Sequence, residues 1–346
     1  MEQLKFHKIV LGCDPEFFFN KEGQVVGAEK VLPTEGLSTL YGGKVVIDGV
    51  QGELNPAASH CRQVLAAGLS ECFMAIEEAL KGGKVGVSFA RAEKVSRKEM
   101  DSLTAKSKTF GCKPTTNFSG GKVQKSFVKV NPLKYRIRSA GGHIHLGIPD
   151  TRNPDVVRAL KSPELIMPIL DLIVGNTCVL IDRDERNIER RKEYGKAGEF
   201  RMPEYGIEYR PLSNFWLQSY QLMSMATGLA RQAAIIVAND EAGEIASALF
   251  AKVDINEVQK AINTNDFELA MHNFKAIEDV LLLITPTIDD YPLHAGVIEE
   301  FHHFVKRGSD YWFKEDPMTH WTGLRPSLVN GFESFLQKEV REDMAK

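Results

Sequence analysis

Cysteine is scarce. There are five in 346 residues (Cys13, Cys61, Cys72, Cys112 and Cys178), an odd number, widely spaced and without a CxxC pair. That excludes a disulfide framework and a thiolate zinc knuckle, and it points to a reducing cytoplasm. A charge excess is also missing. Lys plus Arg is 43 against 46 Asp plus Glu, a net charge of −3, so the chain is neither a polybasic nucleic-acid wrapper nor an acidic tail protein. Met1–Leu11 carries no apolar run with a small-residue cleavage site, so no signal peptide is expected. The most apolar stretch, Leu165–Ile181, is broken by Pro168, Asp171, Gly175 and Asn176 and reads as a buried helix rather than a membrane span. Nucleotide and hydrolase signatures are absent too: GxxxxGK[ST], GxGxxG after a strand, GxSxG, HExxH and the kinase motif set do not occur. GGKVQK at 120–125 lacks the other P-loop positions.

What remains is an ordinary globular composition, 43% hydrophobic and 26% charged, long enough for one large domain or two ordinary ones. Strand-like segments bounded by Gly, Pro and Asn recur at Lys8–Phe19, Lys44–Ile47, Lys84–Ala92, Lys122–Val130, Arg136–Ile148 and Gly206–Leu212. Helical spacing marks Ser59–Leu80, Asp155–Leu160, Pro163–Ile181, the stretch from Leu217 to Ile236, several patterns within 241–307, and Ser327–Glu342. Strands and helices do not alternate regularly. The expectation is therefore an α+β fold with antiparallel strands, helices on one side and a helical C-terminal third, divided near residue 240 into 1–240 and 241–346.

The informative pattern is a spacing. Polar, metal-competent residues stand two apart in strand-like segments: Asp14 and Glu16 in GCDPEFFF, Glu53 and Asn55 in GELNP, His143 and His145 in AGGHIHLGI, Glu208 and Arg210 in YGIEYRPLS. Residues two apart in a strand share a face, so each pair presents both groups to one side while Phe17, Leu54, Ile144, Ile207 and Tyr209 pack on the other. Each pair alone has a bland reading: a turn, a solvated glutamate, core histidines, an exposed ion pair worth little. Four together describe a carboxylate-rich sheet face, which is costly to bury without cations. The donors are oxygen and imidazole without thiolate, which suits magnesium or manganese.

Charge is also segregated. Ser102–Pro149 contains no Asp or Glu but nine basic residues: Lys106, Lys108, Lys113, Lys122, Lys125, Lys129, Lys134, Arg136 and Arg138. The loop Asp182–Arg201 adds Arg190, Arg191, Lys196 and Arg201 around YGKAGEFR. Most of these lysines read as solvated. The cluster is also what a polyanion such as a nucleotide phosphate would meet, with Arg gripping phosphate oxygens in pairs. No direct nucleic-acid signature accompanies it.

These blocks, and above all RRKEYGKAGEFRMPEYGIEYRPLSNFW, resemble the type 2 carboxylate–amine ligases (amidoligases) first recognised on tailed-phage genomes, over roughly residues 8–220. That family is similar in fold to glutamate–cysteine ligase and glutamine synthetase. The resemblance implies a glutamine synthetase-like funnel of antiparallel strands with helices outside, ATP as cosubstrate, two or three divalent ions, and amide formation through an acyl phosphate. It implies Asp14, Glu16, Glu53, His143 and Glu208 as metal ligands. His145, Arg210 and Lys196 are implied at the nucleotide, and Arg210, Arg190, Arg191 and Arg201 as the catalytic cations. Glu199 and Glu204 are candidates for accepting the amine proton. The FGCKPTTNFS segment departs from the family pattern at Lys113. The implied partners are a small-molecule or peptide carboxylate and an amine, in the cytoplasm (the host's, if phage-encoded), with a possible oligomer. A metal-dependent hydrolase, a guanidino-kinase-like phosphotransferase and an inactive binding protein are the rival readings. Tyr311, Trp312, His320 and Trp321 form an aromatic group whose bland reading is core packing.

Overall fold

The computed structural model describes residues 4–109, 115–126, 131–192, 194–284 and 316–324. In chain order the strands are β1 (Val10–Cys13), β2 (Glu16–Lys21), β3 (Gln24–Val26), β4 (Leu37–Ser38), β5 (Lys44–Asp48), β6 (Gln51–Asn55) and β7 (Gly86–Ser88). Then follow β8 (Ala92–Lys94), β9 (Thr115–Ser119), β10 (Lys122–Ser126), β11 (Ile137–Ser139), β12 (Ile144–Gly147), β13 (Glu199–Arg201) and β14 (Gly206–Tyr209). One six-stranded sheet has the order β1-β12-β14-β13-β9-β10; a second has β3-β2-β6-β5-β4 with β7 also pairing β2; β8 and β11 form a separate pair. Every one of these pairings is antiparallel, so the α+β class expected from the irregular strand spacing is what the chain adopts.

Two departures from the sequence reading matter for the site. The single strand expected over Lys8–Phe19 is two, because Pro15 cannot donate to a ladder and the chain leaves one sheet at Cys13 to enter the other at Glu16. The strand expected over Arg136–Ile148 is likewise split. A Cβ on Gly142 would lie 2.3 Å from the Ser213 carbonyl, so the backbone there packs too closely for a side chain.

The helix Tyr220–Asn239 is buried at almost every position, as an apolar all-round helix must be, and packs against Arg62–Leu80, Pro154–Lys161 and Pro163–Leu170. The apolar stretch from residue 165 is a buried helix as expected, interrupted by a π-helical turn at Asp171–Gly175. Among the described residues no single helix is long and apolar enough to cross a membrane. Helices Glu244–Phe250, Ile255–Thr264 and Phe267–Ile284 join the same hydrophobic core, which crosses residue 240 without a break. Trp321 is fully buried, stacks on Phe73 with ring centroids 5.5 Å apart, and donates to the Leu217 carbonyl at 2.7 Å. His320 accepts from the Tyr220 amide at 2.9 Å. Tyr311, Trp312, Cys112, Lys113, Lys129 and the helix expected at Ser327–Glu342 lie outside the described residues.

Candidate active site

Strand register brings the functional side chains together. Across the first sheet, Gly12 faces His145, His145 faces Glu208, and Glu208 faces Arg201. In the second sheet Glu16 faces Glu53, and Glu53 faces Val46. Asp48 is two residues beyond Val46 on β5 and shares its face, so it joins the two glutamates. Phe17, Leu54, Ile144, Ile207 and Tyr209 are fully buried on the opposite faces.

Two acidic groups result. The carboxylate oxygens of Glu16, Asp48 and Glu53 lie within 4.8 Å of one another. Asp14, His145 and Glu208 form a second group with ligand atoms within the same limit. Asp14 and Glu16, expected to act together, are divided between the groups by the Asp14–Pro15 crossing. Asp14 Oδ1 lies 3.0 Å from His143 Nδ1 and 3.2 Å from His145 Nε2, so the two imidazoles do point to one side. His143 Nδ1 is 3.6 Å from Glu208 Oε1, and Tyr205 hydrogen-bonds His145 Nδ1. Glu16 accepts from the Gly141 amide at 2.8 Å and the Tyr194 hydroxyl at 2.6 Å. Asn55 donates to Glu53 at 2.8 Å.

The electrostatics of the two groups differ. Burial, then repulsion from Asp48, pushes the Glu16 carboxyl up to about 7. Burial, then the charges of Asp14, Asp48 and Glu16, pushes Glu53 up to about 9. Asp48 is raised by burial and Asp14, with Arg201, Arg210 and Lys106 pulling the other way. Burial would raise Asp14 as well, but His143 and His145 outweigh it and hold it far below the usual range. His143 is lowered to about 4 by burial and the Arg210 charge, so it is a neutral imidazole near pH 7. Its Nε2 is buried without a hydrogen-bond partner. A triad of carboxylates held against their own repulsion, beside a neutral imidazole with a spare lone pair or proton, is a donor set that fits hard divalent cations.

The arginines divide by environment. Arg210 is fully buried, pairs with Glu208 and lies 5.6 Å over the Tyr194 ring. Arg201 reaches Glu208 at 3.6 Å with about a third of its side chain exposed. Arg190 lies 5.0 Å over the Tyr194 ring that Arg210 also faces. Its guanidinium donates to the Pro211, Arg210 and Leu212 carbonyls at 2.6–3.0 Å, so it fastens the chain after β14. Arg191 points elsewhere, toward Asn265 at 3.4 Å in a small cavity beside Asp182. Lys196 is half-buried in the glycine loop, its carbonyl accepting from Glu199. Glu199 is buried with both oxygens occupied, by Ser126 at 2.9 Å and the Gly195 amide at 2.7 Å, and Glu204 is exposed on a turn.

The loop behind β13 is held by backbone demands. Gly195 and Gly198 have φ of +80° and +77°, and a Cβ on Gly198 would lie 2.1 Å from the Phe118 carbonyl. Asp171, in the π-helical turn, accepts from the Gly198 amide at 3.1 Å, Tyr209 at 3.0 Å and Gln259 at 3.0 Å. Sequence reasoning missed Asp48, Tyr194, Tyr205 and Asp171. Asp48 ends β5 just before Gly49, and strand register counted back from Glu53 places it on the same face.

A model of the phage phiEco32-like COOH.NH2 ligase-type 2 family matches residues 131–322, more than half of the chain. The chain belongs to this family. It is therefore a carboxylate–amine ligase. The match holds His143, His145, Arg201, Glu208 and Arg210. It runs on through the helices beyond residue 220, where the sequence resemblance had stopped; Asp14, Glu16, Asp48 and Glu53 precede it. Among solved structures, one described as "Apo GmaS without ligand" is similar at 12% identity and a TM-score of 0.38, over 94% of this chain and 73% of that one. No curated protein matches the chain.

Proposed function

We propose that this ligase joins a carboxylate to an amine at the expense of ATP, with magnesium or manganese held by the two acidic groups. The observation that carries the reading is the triad of buried Glu16 with half-buried Asp48 and Glu53, standing next to Asp14, His145 and Glu208. Three carboxyls so close are tolerated metal-free only by keeping protons, and near neutral pH a cation is the stable counter-charge.

The chemistry needs it. A carboxylate resists amine attack because it is anionic and carries no leaving group. Transfer of the γ-phosphoryl group to a carboxylate oxygen makes an acyl phosphate and ADP; the amine then attacks the carbonyl carbon, phosphate leaves, and the nitrogen loses a proton. The first step brings anions together, at roughly 4 kcal/mol for each pair of unit charges 4 Å apart with an effective dielectric near 20. Bound divalent ions supply that neutralisation and align the reacting oxygens. Glu16, Asp48 and Glu53 would hold one ion; Asp14, Glu208 and one imidazole would hold another. Arg201, the partly exposed guanidinium, would grip phosphoryl oxygens, while buried Arg210 would orient Glu208. The acid and amine are small molecules or peptide-like groups.

The test is a screen of acids and amines for ADP release, with mass analysis of products. Release that requires both an acid and an amine supports a ligase. Turnover without ATP would indicate a hydrolase, and a phosphorylated nitrogen product a kinase. Glu53→Gln and Glu208→Gln should each abolish turnover while the fold persists.

A further inference from the structure

Beside His145 lies a cleft of about 460 Å³ that none of the chemistry above occupies. Its lining includes exposed Ala58 and Tyr205, half-buried His145 and Asn55, and residues of β1 and β12. Its floor is a bare patch of sheet. Gly12 faces His145 and Gly147 faces Val10 across the strand pair, so two positions on one face carry no side chain. Neither glycine has a positive φ, so backbone conformation does not require them. Sterics do not require Gly12 either: a Cβ there would meet His145 Cβ at 3.4 Å and Ala58 Cβ at 3.6 Å, ordinary contact distances. What a side chain at Gly12 would remove is room.

The walls narrow the occupant. Apart from His145 the lining carries no ionisable side chain but buried Cys13 and the Tyr205 phenol, whose pKa is raised by burial and the charges of Glu208 and Asp14. The lining itself holds no carboxylate, ammonium or guanidinium, and the charge nearest to it, Asp14, is already paired with His145. The rest is Val10, Pro56, Ala58 and Ile148, and the Tyr205 ring lies nearly parallel to His145, 12° apart. Asn55 and backbone supply polar edges. A glycine-floored cleft with aliphatic side chains and the stacked Tyr205–His145 pair in its lining suits a planar ring, which gains from apolar contact and from close backbone approach.

We infer that this cleft binds an uncharged planar ring of a ligand whose anionic part meets the cation that Asp14, His145 and Glu208 would hold. This rests on the ligase reading. The ring has two possible sources: the base of the nucleoside triphosphate, or a ring on one of the joined substrates.

Gly12→Val fills the floor, and Ala58→Phe fills the mouth from an exposed position outside the core. Both are made in the full chain, with thermal melts confirming the fold. Calorimetry with Mg²⁺ then compares ATP with inorganic triphosphate, which has the phosphates without the ring. If the base binds here, both variants weaken ATP about ten- to a hundredfold and leave triphosphate unchanged. Photolabelling by 8-azido-ATP should then mark peptides containing Val10–Cys13, Pro56–Ala58 or Tyr205. If the ring belongs to a substrate, ATP is unaffected, and KM rises to the same degree for ring-bearing substrates but not for ring-free ones, with kcat held. Equal weakening of ATP and triphosphate, or no effect on any ligand, overturns the cleft assignment alone. Wild-type protein that binds neither ATP nor triphosphate overturns the ligase reading, and this inference with it.

Discussion

Divalent cation binding should be strongly coupled to proton release, by an amount the triad sets. In the metal-free protein Glu53 titrates near 9 and Glu16 near 7, both above the ordinary value of 4.5. At pH 7 Glu53 is almost fully protonated and Glu16 about half, so a cation that requires both as carboxylates displaces about 1.5 protons. The apparent affinity then rises about thirtyfold from pH 6.5 to 7.5. Stability of the metal-free protein moves the opposite way. A carboxyl whose folded pKa is raised favours the folded state fully below its unfolded value, and that contribution disappears as pH climbs through the folded value. The metal-free protein should therefore lose several kcal/mol between about pH 5 and 9, and cations should restore it increasingly at the alkaline end. Calorimetric titration of Mg²⁺ or Mn²⁺ in buffers of different ionisation enthalpy counts the protons directly. Glu53→Gln removes the larger contributor, so about 0.5 proton should remain and the metal-free protein should become more stable above pH 7. A count unchanged by Glu53→Gln, or a wild-type count below about 0.5, would refute the triad as the cation site.

Asp171 gives a second pH signature, since burial pushes it up to about 6. Its share of stability is complete below about pH 4 and is lost as pH rises to 6, on the order of 3 kcal/mol; Asp171→Asn should flatten that slope in urea melts and cost about 1–3 kcal/mol through a mismatched network. Gly198→Ala should destabilise by at least about 1–3 kcal/mol, because its φ is left-handed and the Phe118 carbonyl stands in the way of a Cβ; a neutral melt would contradict this. Arg201→Ala should weaken triphosphate binding about tenfold or more with little change in melting temperature. Arg190→Ala should lower the melting temperature instead, because it removes a donor from three backbone carbonyls, of which only Leu212 keeps another, the Gly142 amide, among the backbone bonds described.

Strand periodicity made part of the site legible. His143, His145 and Glu208 could be read because they alternate with apolar residues in short strands, and the structure brings all three around Asp14. Glu16 and Glu53 were legible for the same reason, yet their pairing was not: it depends on which strands meet, a non-local fact. The same limit hid the division of Asp14 from Glu16, although Pro15 marks the spot where a ladder must break. Arginines were the least legible. Arg190, Arg191, Arg201 and Arg210 look alike in sequence, and only burial shows that the first ties down a loop, the second faces Asp182, and the last two flank Glu208. The α+β class followed from irregular strand spacing, whereas the π-helical turn that sets Asp171 behind the glycine loop has no sequence signature.

The step at Pro15 carries the chain from one wall of the protein to the other between Cys13 and Glu16, while each wall keeps its own share of the acidic groups. On the proposed chemistry neither wall suffices by itself, so turnover should report on the seam between them as much as on the groups it aligns. Substitutions far from any ligand that let one wall slide past the other by an ångström would silence the protein while leaving both walls folded, and loss of activity on heating should run ahead of the loss of helix.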